Sequence, residues 1–365
     1  MSHTDFQRPD EAVSLRLRQL YRRHGYLPYR MSKFESYDLY VRNKRFLLSE
    51  NILTFTDTDG RLMALKPDVT LSIIKNTRDT VGALQKVYYN ENVYRAAPDS
   101  GYREIMQTGL ECIGRLDAFA IGEVLSLAAR SLAAISGSYI LDLSHMGFVA
   151  GLLEGLEEDA ASELLTEISR KNVFAIHEVC ARRGLPAELA EKAEILARLY
   201  GPPEQVLPRL APLSRGPQMD AALAELQELC GLMAAMGLSE NLRLDFSIVN
   251  DMNYYNGVIF RGYLPGLASG VLAGGQYDNL LRRMGRTGGA IGFAVYLDQL
   301  ERLDSGGPEW DVDVLLLYGP GDDPAAVALQ AEELMARGES VRAERFVPAG
   351  LRCGRIISME KGARL

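Results

Sequence analysis

The chain has 365 residues, of which 47% are hydrophobic and 24% are charged. This balance is that of an ordinary globular protein of about two domains, and it excludes a disordered chain, a collagen-like chain and a small disulfide scaffold. The net charge of −8 at pH 7 argues against a general electrostatic attraction to nucleic acid or to anionic membranes.

The chain carries neither a metal-binding motif nor a membrane signal. Its cysteines are far apart and form no CxxC pair: Cys112, Cys180, Cys230 and Cys353. With only four histidines and no Cys/His cluster, we expect reduced thiols and no zinc site. Residues 1–10 are polar, and no stretch reaches the roughly 20 apolar residues of a membrane span. We therefore expect a cytoplasmic protein with no membrane partner.

The first third of the chain alternates between helical and strand-like patterns. In chain order we predict a helix over 11–24, strand-like runs at 46–48 and 52–55, a turn at 57–60, and strands over 87–95 and 105–113. Asn92 and Glu111 are polar residues inside these two last runs. A polar residue in such a run faces solvent or lines a pocket on the sheet surface.

Helical patterns dominate the middle of the chain. The predicted elements are a helix over 121–136, a strand over 139–143, a nearly all-helical stretch over about 149–238, a strand over 242–248, a helix over 294–303, and a strand, helix and strand over 312–317, 324–337 and 340–343. Asp220 is the predicted N-cap of the last helix in the middle stretch. Because this stretch interrupts a strand-rich region, we interpret it as a helical insertion.

Five short motifs, in a fixed order, carry a resemblance to a known family. They are Phe55–Gly60 with Leu65–Thr70, Val93–Gly114, Met252–Gly257, Ala273–Asp278 and Gly292–Ala294. They resemble, in that order, the DxxGRxxxLRPExT segment, motif 2, the LDYYTG segment, the AGGRYDGL segment and motif 3 of histidyl-tRNA synthetases and their paralogues. The resemblance covers residues 10–303 and implies an α+β fold, namely a class II synthetase-like core with an antiparallel sheet flanked by helices.

The resemblance also implies a domain organisation. We expect the synthetase-like core over 1–305, with the helical insertion over about 149–238. Residues 309–365 resemble only the first strand, helix and strand of the family's anticodon-binding domain, and we expect a truncated α/β segment there. Because most of that domain is missing and the net charge is negative, we do not expect tRNA to bind.

The family's amino-acid pocket maps onto six positions of this chain. The histidine-binding residues that the resemblance implies are Asp68, Thr70, Gln107, Glu111, Tyr254 and Tyr255. These residue types suit a zwitterion that carries an imidazole, because the carboxylates favour an ammonium group or a ring N–H and the hydroxyls can accept or donate. Asp68 stands where many synthetases have glutamate, which makes this carboxylate one methylene shorter.

The positions that would activate histidine with ATP have changed. Asn250 and Asp251 stand where synthetases have an arginine, Gln299 replaces the arginine of motif 3, and Ala97 replaces the glutamate of motif 2. Adenylate formation needs cations on the phosphates, so we expect no catalytic residue, cofactor or metal. Arg95 and Arg103 remain as candidates for residual phosphate or nucleotide contacts.

A chain that keeps histidine recognition and loses activation resembles the regulatory subunits of ATP phosphoribosyltransferase. That resemblance implies a short-form catalytic subunit as partner, histidine as effector, and a homodimer within a hetero-oligomer for the first step of histidine biosynthesis. Two alternatives remain open at this point. One is a histidyl-tRNA synthetase that uses Arg95 and Arg103, and the other is a synthetase-like module that senses a different amino acid.

Overall fold

The structure is a computed structural model and describes residues 9–43, 52–77, 83–97, 101–248, 254–302 and 310–359. The chain divides into two compact units. The larger unit is Val13–Leu303, and the smaller one combines Met1–Ala12 with Asp304–Leu365. The predicted run at 46–48 and the positions Asn250 and Asp251 lie outside the described residues.

The described strands are short except for the pair that follows residue 84. In chain order they are β1 Leu27–Pro28, β2 Phe34–Ser36, β3 Thr54–Thr56, β4 Leu62–Leu65, β5 Gln85–Ala97, β6 Gly101–Gly114, β7 Ile140–His145, β8 Tyr200–Gly201, β9 Leu242–Asp245, β10 Val258–Tyr263, β11 Leu272–Gln276, β12 Gly289–Tyr296, β13 Val312–Leu317, β14 Val341–Glu344 and β15 Cys353–Ser358. The predicted strands over 87–95, 105–113 and 139–143 are therefore confirmed, each with slightly different ends.

The described helices include α1 at the start and a series in the middle of the chain. They are α1 Pro9–Arg23, α2 Tyr37–Arg42, α3 Thr70–Asn76, α4 Ala118–Ile135, α5 Met146–Leu152, α6 Glu158–Ser169, α7 Val173–Arg183, α8 Ala187–Arg198, α9 Pro203–Leu210, α10 Pro217–Ala235, α11 Asp278–Arg283 and α12 Pro324–Ala336. Helices α5 to α10 fill the stretch predicted to be helical. That this stretch forms an inserted domain stays a prediction.

A nine-stranded sheet organises the larger unit. Its strand order is β1-β5-β6-β12-β11-β10-β7-β9-β8. Neighbouring strands are antiparallel except for β1 with β5 and β7 with β9, which are parallel. The predicted antiparallel sheet is thus present, with a parallel pair towards each edge. Strands β2, β4 and β3 form a separate antiparallel sheet, and helices flank the main sheet as the α+β prediction requires.

Helix α4 packs its apolar surface into the core of the larger unit. The Asp117 carboxylate caps its first turn and accepts a hydrogen bond from the Ala120 N–H at 2.8 Å, which satisfies one of the free amides at the helix start. This is the one described helix that is long and apolar enough to cross a membrane, and 61% of it is buried. A helix buried in a protein core can be as long and as apolar as a membrane-spanning helix, and the burial of α4 accounts for its composition.

Three details of the predicted secondary structure are wrong. The predicted strand over 242–248 ends at Asp245, and Phe246–Ile248 form a 3-10 helix. Residues 294–303, predicted as a helix, continue strand β12 to Tyr296 and then form a 3-10 helix, Leu297–Arg302. β12 pairs with β6 on one side and β11 on the other, so its apolar run is that of a central strand buried on both faces. The N-cap of α10 is Gly216, because Pro217 with its fixed φ begins the helix. Asp220 instead accepts a hydrogen bond from the Ser214 hydroxyl at 2.6 Å.

The smaller unit contains a three-stranded parallel sheet in the order β14-β13-β15. The predicted strand, helix and strand correspond to β13, α12 and β14. Strand β15, Cys353–Ser358, was not anticipated from the sequence and adds to the other side of β13. The interpretation of this unit as a remnant of an anticodon-binding domain stays a prediction.

Candidate amino-acid pocket

All six residues expected to bind histidine line one pocket on a face of the main sheet. Strand β6 contributes Gln107 and Glu111, and Thr70 begins helix α3. Arg95 also lines the pocket. Arg103 is exposed and lies opposite Arg95 in the β5–β6 pair. The fold thus brings together residues that are up to 187 positions apart in the chain.

The Glu111 carboxylate is the centre of this pocket. It is 2% exposed. One of its oxygens accepts a hydrogen bond from the Thr70 hydroxyl at 2.8 Å, and the other accepts one from the Tyr277 hydroxyl. Burial raises the pKa of Glu111 to about 8, although both hydroxyls oppose the rise and Asp68 adds to it. The group therefore holds its proton near neutral pH and can give it up to a cation that enters the pocket.

Asp68 supplies the second carboxylate from the loop before α3. It accepts a hydrogen bond from the Leu71 N–H at 2.9 Å, which fixes the side chain against the start of the helix. Burial raises the pKa of Asp68, and the Leu71 N–H and the nearby Arg95 guanidinium pull it in the opposite direction. The Arg95 guanidinium is itself held in place, because its Nε donates to the Pro67 carbonyl at 3.0 Å.

Gln107 presents a donor that the protein leaves without a partner. Its side chain is 2% exposed, and its Nε2 has no hydrogen-bond partner among the described residues. A buried amide N–H without a partner costs about 1–3 kcal/mol. Because Gln107 lines the pocket, a ligand with an oxygen acceptor would remove this cost when it binds.

Tyr254 and Tyr255 form the aromatic wall of the pocket. Their rings meet edge to face with centroids 4.5 Å apart, and burial raises the pKa of both hydroxyls, so both remain protonated. The Tyr254 ring also lies 6.0 Å from the Tyr277 ring, centroid to centroid. Three tyrosines thus supply hydroxyl donors and acceptors inside an otherwise apolar wall.

Two glycines of the main sheet leave space for side chains of the pocket. A Cβ at Gly275 would come within 2.6 Å of the Tyr255 ring, and a Cβ at Gly292 would overlap the Glu111 carboxylate. Gly292 is the direct cross-strand neighbour of Glu111, and Gly275 is that of Gly292. Only residues without a side chain allow Glu111 and Tyr255 to lie this close to the sheet.

Sequence reasoning did not assign Tyr277 and Tyr89 to the site. Tyr277 is 1% exposed and donates to Glu111, and Tyr89 lines the same pocket. Tyr277 lies within the Ala273–Asp278 motif that carried the resemblance, so the motif was the available signal. Tyr89 had no such signal, because a tyrosine in a strand is most often a packing residue.

Two of the positions where synthetases have charged residues lie outside the lining of this pocket. Gln299 lies on the 3-10 helix after β12, where its side chain contacts Asp298 and Ser269 at 3.0 and 3.1 Å. Ala97 is the last residue of β5. Among the residues that the structure describes, no group of three or more His, Cys, Asp or Glu side chains could hold a metal ion.

The raised pKa of Glu111 predicts a pH-dependent stability. Its folded-state pKa of about 8 exceeds the ordinary glutamate value of about 4.3. The stabilising contribution is therefore complete below about pH 4.3 and is lost as the pH rises through about 8. Glu111→Gln removes this titration and should therefore reduce the slope with which the unfolding free energy falls between pH 5.5 and 8.5. The reduction corresponds to at most one proton, which is about 1.4 kcal/mol per pH unit.

Urea unfolding at four pH values in this range measures the slope. Asp142, whose pKa burial raises to about 7, contributes in the same direction and remains in the variant. The comparison of parent and Glu111→Gln therefore isolates the share of Glu111. Equal slopes in the two proteins would show that Glu111 is ionised in the folded state.

The pocket lies on the sheet of a class II synthetase-like core. Comparison with known proteins agrees with this class. The model of the histidyl-tRNA synthetase family matches residues 5–300. The regulatory subunit of ATP phosphoribosyltransferase from Symbiobacterium thermophilum is 32% identical over 310 residues, which are 81% of this chain and 76% of the relative.

Two solved structures share the fold. A structure from Bacillus halodurans C, described as an ATP phosphoribosyltransferase regulatory subunit/histidyl-tRNA synthetase, superposes with a TM-score of 0.80 at 24% identity and covers 98% of this chain and 97% of its own. A chain of the ATP phosphoribosyl transferase (HisG:HisZ) complex from Thermotoga maritima gives a TM-score of 0.63 at 20% identity and covers 79% of this chain and 97% of its own.

The family model and the 32% identical relative together place this protein. It belongs to the histidyl-tRNA synthetase family and, within it, to the regulatory subunits of ATP phosphoribosyltransferase.

Proposed function

We propose that this regulatory subunit senses free histidine in the Glu111 pocket and makes a short-form catalytic subunit of ATP phosphoribosyltransferase responsive to it. The chain is a regulatory subunit and not an enzyme. The observation that carries the proposal is the buried Glu111 carboxylate, which Thr70 and Tyr277 hold in place by hydrogen bonds on both oxygens. The Thermotoga maritima structure, whose title names a HisG:HisZ complex, supports the choice of partner.

The pocket offers a complementary group for each part of histidine. The carboxylates of Asp68 and Glu111 suit the ammonium group and a ring N–H, and the unpaired Gln107 amide and Arg95 suit the carboxylate. Binding of a cation favours release of the Glu111 proton. The pocket is polar on the sheet side and aromatic on the side of Tyr254, which matches a flat heteroaromatic side chain.

Regulation requires that histidine binds one arrangement of the complex better than the other. Feedback inhibition follows if the preferred arrangement is the inactive one, and a coupling free energy of about 1–3 kcal/mol is typical.

We further propose that the chain forms a homodimer within the hetero-oligomer, because class II cores pair through their first motif. We also propose a cytoplasmic location. Gln299 stands where the family has the arginine of motif 3, and the loss of this cation supports a role without adenylate formation.

Binding of free histidine to the isolated chain is the first test. Histidine at 100 times its Kd should stabilise the protein by about 2.7 kcal/mol and raise its Tm. Calorimetric titration gives the Kd, with glutamine as the control ligand because it has the same backbone groups but no ring. If millimolar histidine gives no Tm shift and no binding heat, the proposed pocket is contradicted.

Reconstitution tests the function itself. The chain should co-purify with a short-form catalytic subunit and confer turnover that histidine inhibits. The alternative, a histidyl-tRNA synthetase, is kept open by Arg95, which lines the pocket. Histidine-dependent ATP–pyrophosphate exchange well above a blank would favour the synthetase and contradict the regulatory proposal.

A further inference from the structure

We infer that Arg261 binds the carboxylate of the amino acid held in the Glu111 pocket. The inference rests on the proposed function, because histidine is the ligand proposed for that pocket. Arg261 lies on β10, an interior strand of the main sheet, and its side chain is half-buried. It belongs to none of the five motifs that carried the resemblance, so sequence reasoning did not assign it to the site.

The register of the sheet puts Arg261 on the same face as the pocket. Direct cross-strand neighbours share a face, and Arg261 is the neighbour of Ala273. Ala273 is in turn the neighbour of Ala294, and both alanines line the pocket. Strands lie about 4.8 Å apart, so the pocket lining begins one strand away from Arg261. Because alanine barely rises above the sheet, the long arginine side chain has room to extend over it.

The charges that act on the neighbours of Arg261 indicate where its guanidinium points. Burial raises the pKa of Tyr255, and the positive charge of Arg261 acts against this rise. On its other side, Arg261 is the cross-strand neighbour of Asp142 in β7. Burial raises the pKa of Asp142 to about 7, and the cations that oppose the rise are Lys171 and Arg243. Arg261 therefore directs its charge to the aromatic wall of the pocket and not to the aspartate beside it.

The charge of Arg261 has no carboxylate partner in the described part of the chain, where it forms no ion pair. Its charge also acts on Tyr263, two residues further along β10, whose pKa burial raises. Arg95 differs, because its charge lowers the pKa of the buried Asp68 and its Nε donates to the Pro67 carbonyl at 3.0 Å. Arg261 is therefore the better partner for an anionic group of a ligand, since a half-buried charge gains most from a new counter-charge.

The charges of the filled pocket balance when Arg261 is counted. The histidine zwitterion brings one ammonium group and one carboxylate. With Glu111 ionised by the incoming cation, Asp68 and Glu111 carry two negative charges and Arg95 carries one positive charge. Arg261 supplies the missing positive charge, and buried charges without compensation are costly. Gln107, whose Nε2 has no partner among the described residues, adds a neutral donor for the same carboxylate.

Calorimetric titration of the full chain with histidine and with histidinol tests the inference. Histidinol keeps the ammonium group and the imidazole but has a hydroxymethyl group in place of the carboxylate. We expect the parent to bind histidine at least about tenfold more tightly than histidinol, as for a hydrogen bond to a charged group. Arg261→Met should reduce this preference at least about tenfold by raising the Kd for histidine, with the Kd for histidinol unchanged.

Three further variants keep the result interpretable. Arg261→Lys retains the positive charge and should retain part of the preference for histidine. Arg115→Met removes an exposed charge beyond the end of β6, outside the pocket lining, and should leave both Kd values unchanged. Arg95→Met should reduce the preference less than Arg261→Met does, because the charge of Arg95 is opposed by Asp68.

The outcomes separate this inference from the proposed function. If the parent binds neither ligand, the proposed function fails and the inference fails with it. If the parent binds histidine and Arg261→Met keeps the preference, only the inference fails. Equal loss of both ligands in Arg261→Met, or loss of the preference in Arg95→Met alone, would also overturn it, because Arg261 would then support the fold or Arg95 would hold the carboxylate. An unaltered Tm of each variant without ligand shows that the chain is folded.

Discussion

Glu111→Gln raises the histidine concentration that half-inhibits the reconstituted complex by at least about tenfold, and it leaves the uninhibited turnover unchanged. A hydrogen bond to a charged group contributes about 1.5–3 kcal/mol, and glutamine cannot supply the charge. The variant keeps the size of the side chain and an oxygen that can still accept from Thr70 or Tyr277. A steady-state assay of the complex at a series of histidine concentrations measures the effect.

The matched control is Glu178→Gln, which makes the same chemical change on the exposed face of α7. It should leave the inhibition curve where it is. If Glu111→Gln is inhibited like the parent, the histidine sensor lies outside this pocket. If its turnover falls without added histidine, the pocket instead supports the active state of the complex.

Lys66→Met destabilises the chain by about 2–3 kcal/mol, the largest stability effect that we expect from a single charge. The Lys66 side chain is 1% exposed and pairs with Glu91, which is 17% exposed, at 2.5 Å. Removing one partner of a buried pair leaves the other charge without compensation, which typically costs about 3–5 kcal/mol. The partial exposure of Glu91 lets water recover some of this loss. Urea unfolding monitored by circular dichroism gives the difference.

The pair of Lys192 and Glu188 provides the control. Its two charges are 2.9 Å apart, but the Glu188 side chain is 75% exposed, so water can solvate the charge that Lys192→Met leaves behind and the variant should lose much less stability than Lys66→Met. Lys66→Met/Glu91→Gln should recover at least half of the stability lost in Lys66→Met, because no bare charge remains. Similar losses in Lys66→Met and Lys192→Met would show that burial does not strengthen the first pair.

The residues of the proposed pocket could be placed from sequence because they occur in ordered motifs. Glu111 was visible as a polar residue in a run of β-forming residues, and its position in the sheet is buried as a pocket residue should be. The hydrogen bond from Tyr277 was not visible. It joins residues 166 positions apart, and its existence depends on how β6 and β12 pair in the sheet.

Elements whose conformation is set by distant neighbours were the ones predicted wrongly. The run that ends at Tyr296 has the apolar composition of a buried helix as much as of a buried strand, and periodicity alone does not separate the two. Its pairing with β6 and β11 decides the matter. Strand β15 was missed for the same reason, because it pairs in parallel with β13, which lies far from it in the sequence.

The two glycines beneath Tyr255 and Glu111 limit how substitutions could alter the ligand that this pocket accepts. Gly275 and Gly292 already have no side chain, so no substitution there can make room. Every replacement adds atoms where Tyr255 and Glu111 now lie. A larger ligand would have to gain its space from the walls, by trimming Tyr254 or Tyr255, and the depth of the pocket is fixed by the spacing of main chains. The binding specificity is thus easier to narrow than to broaden.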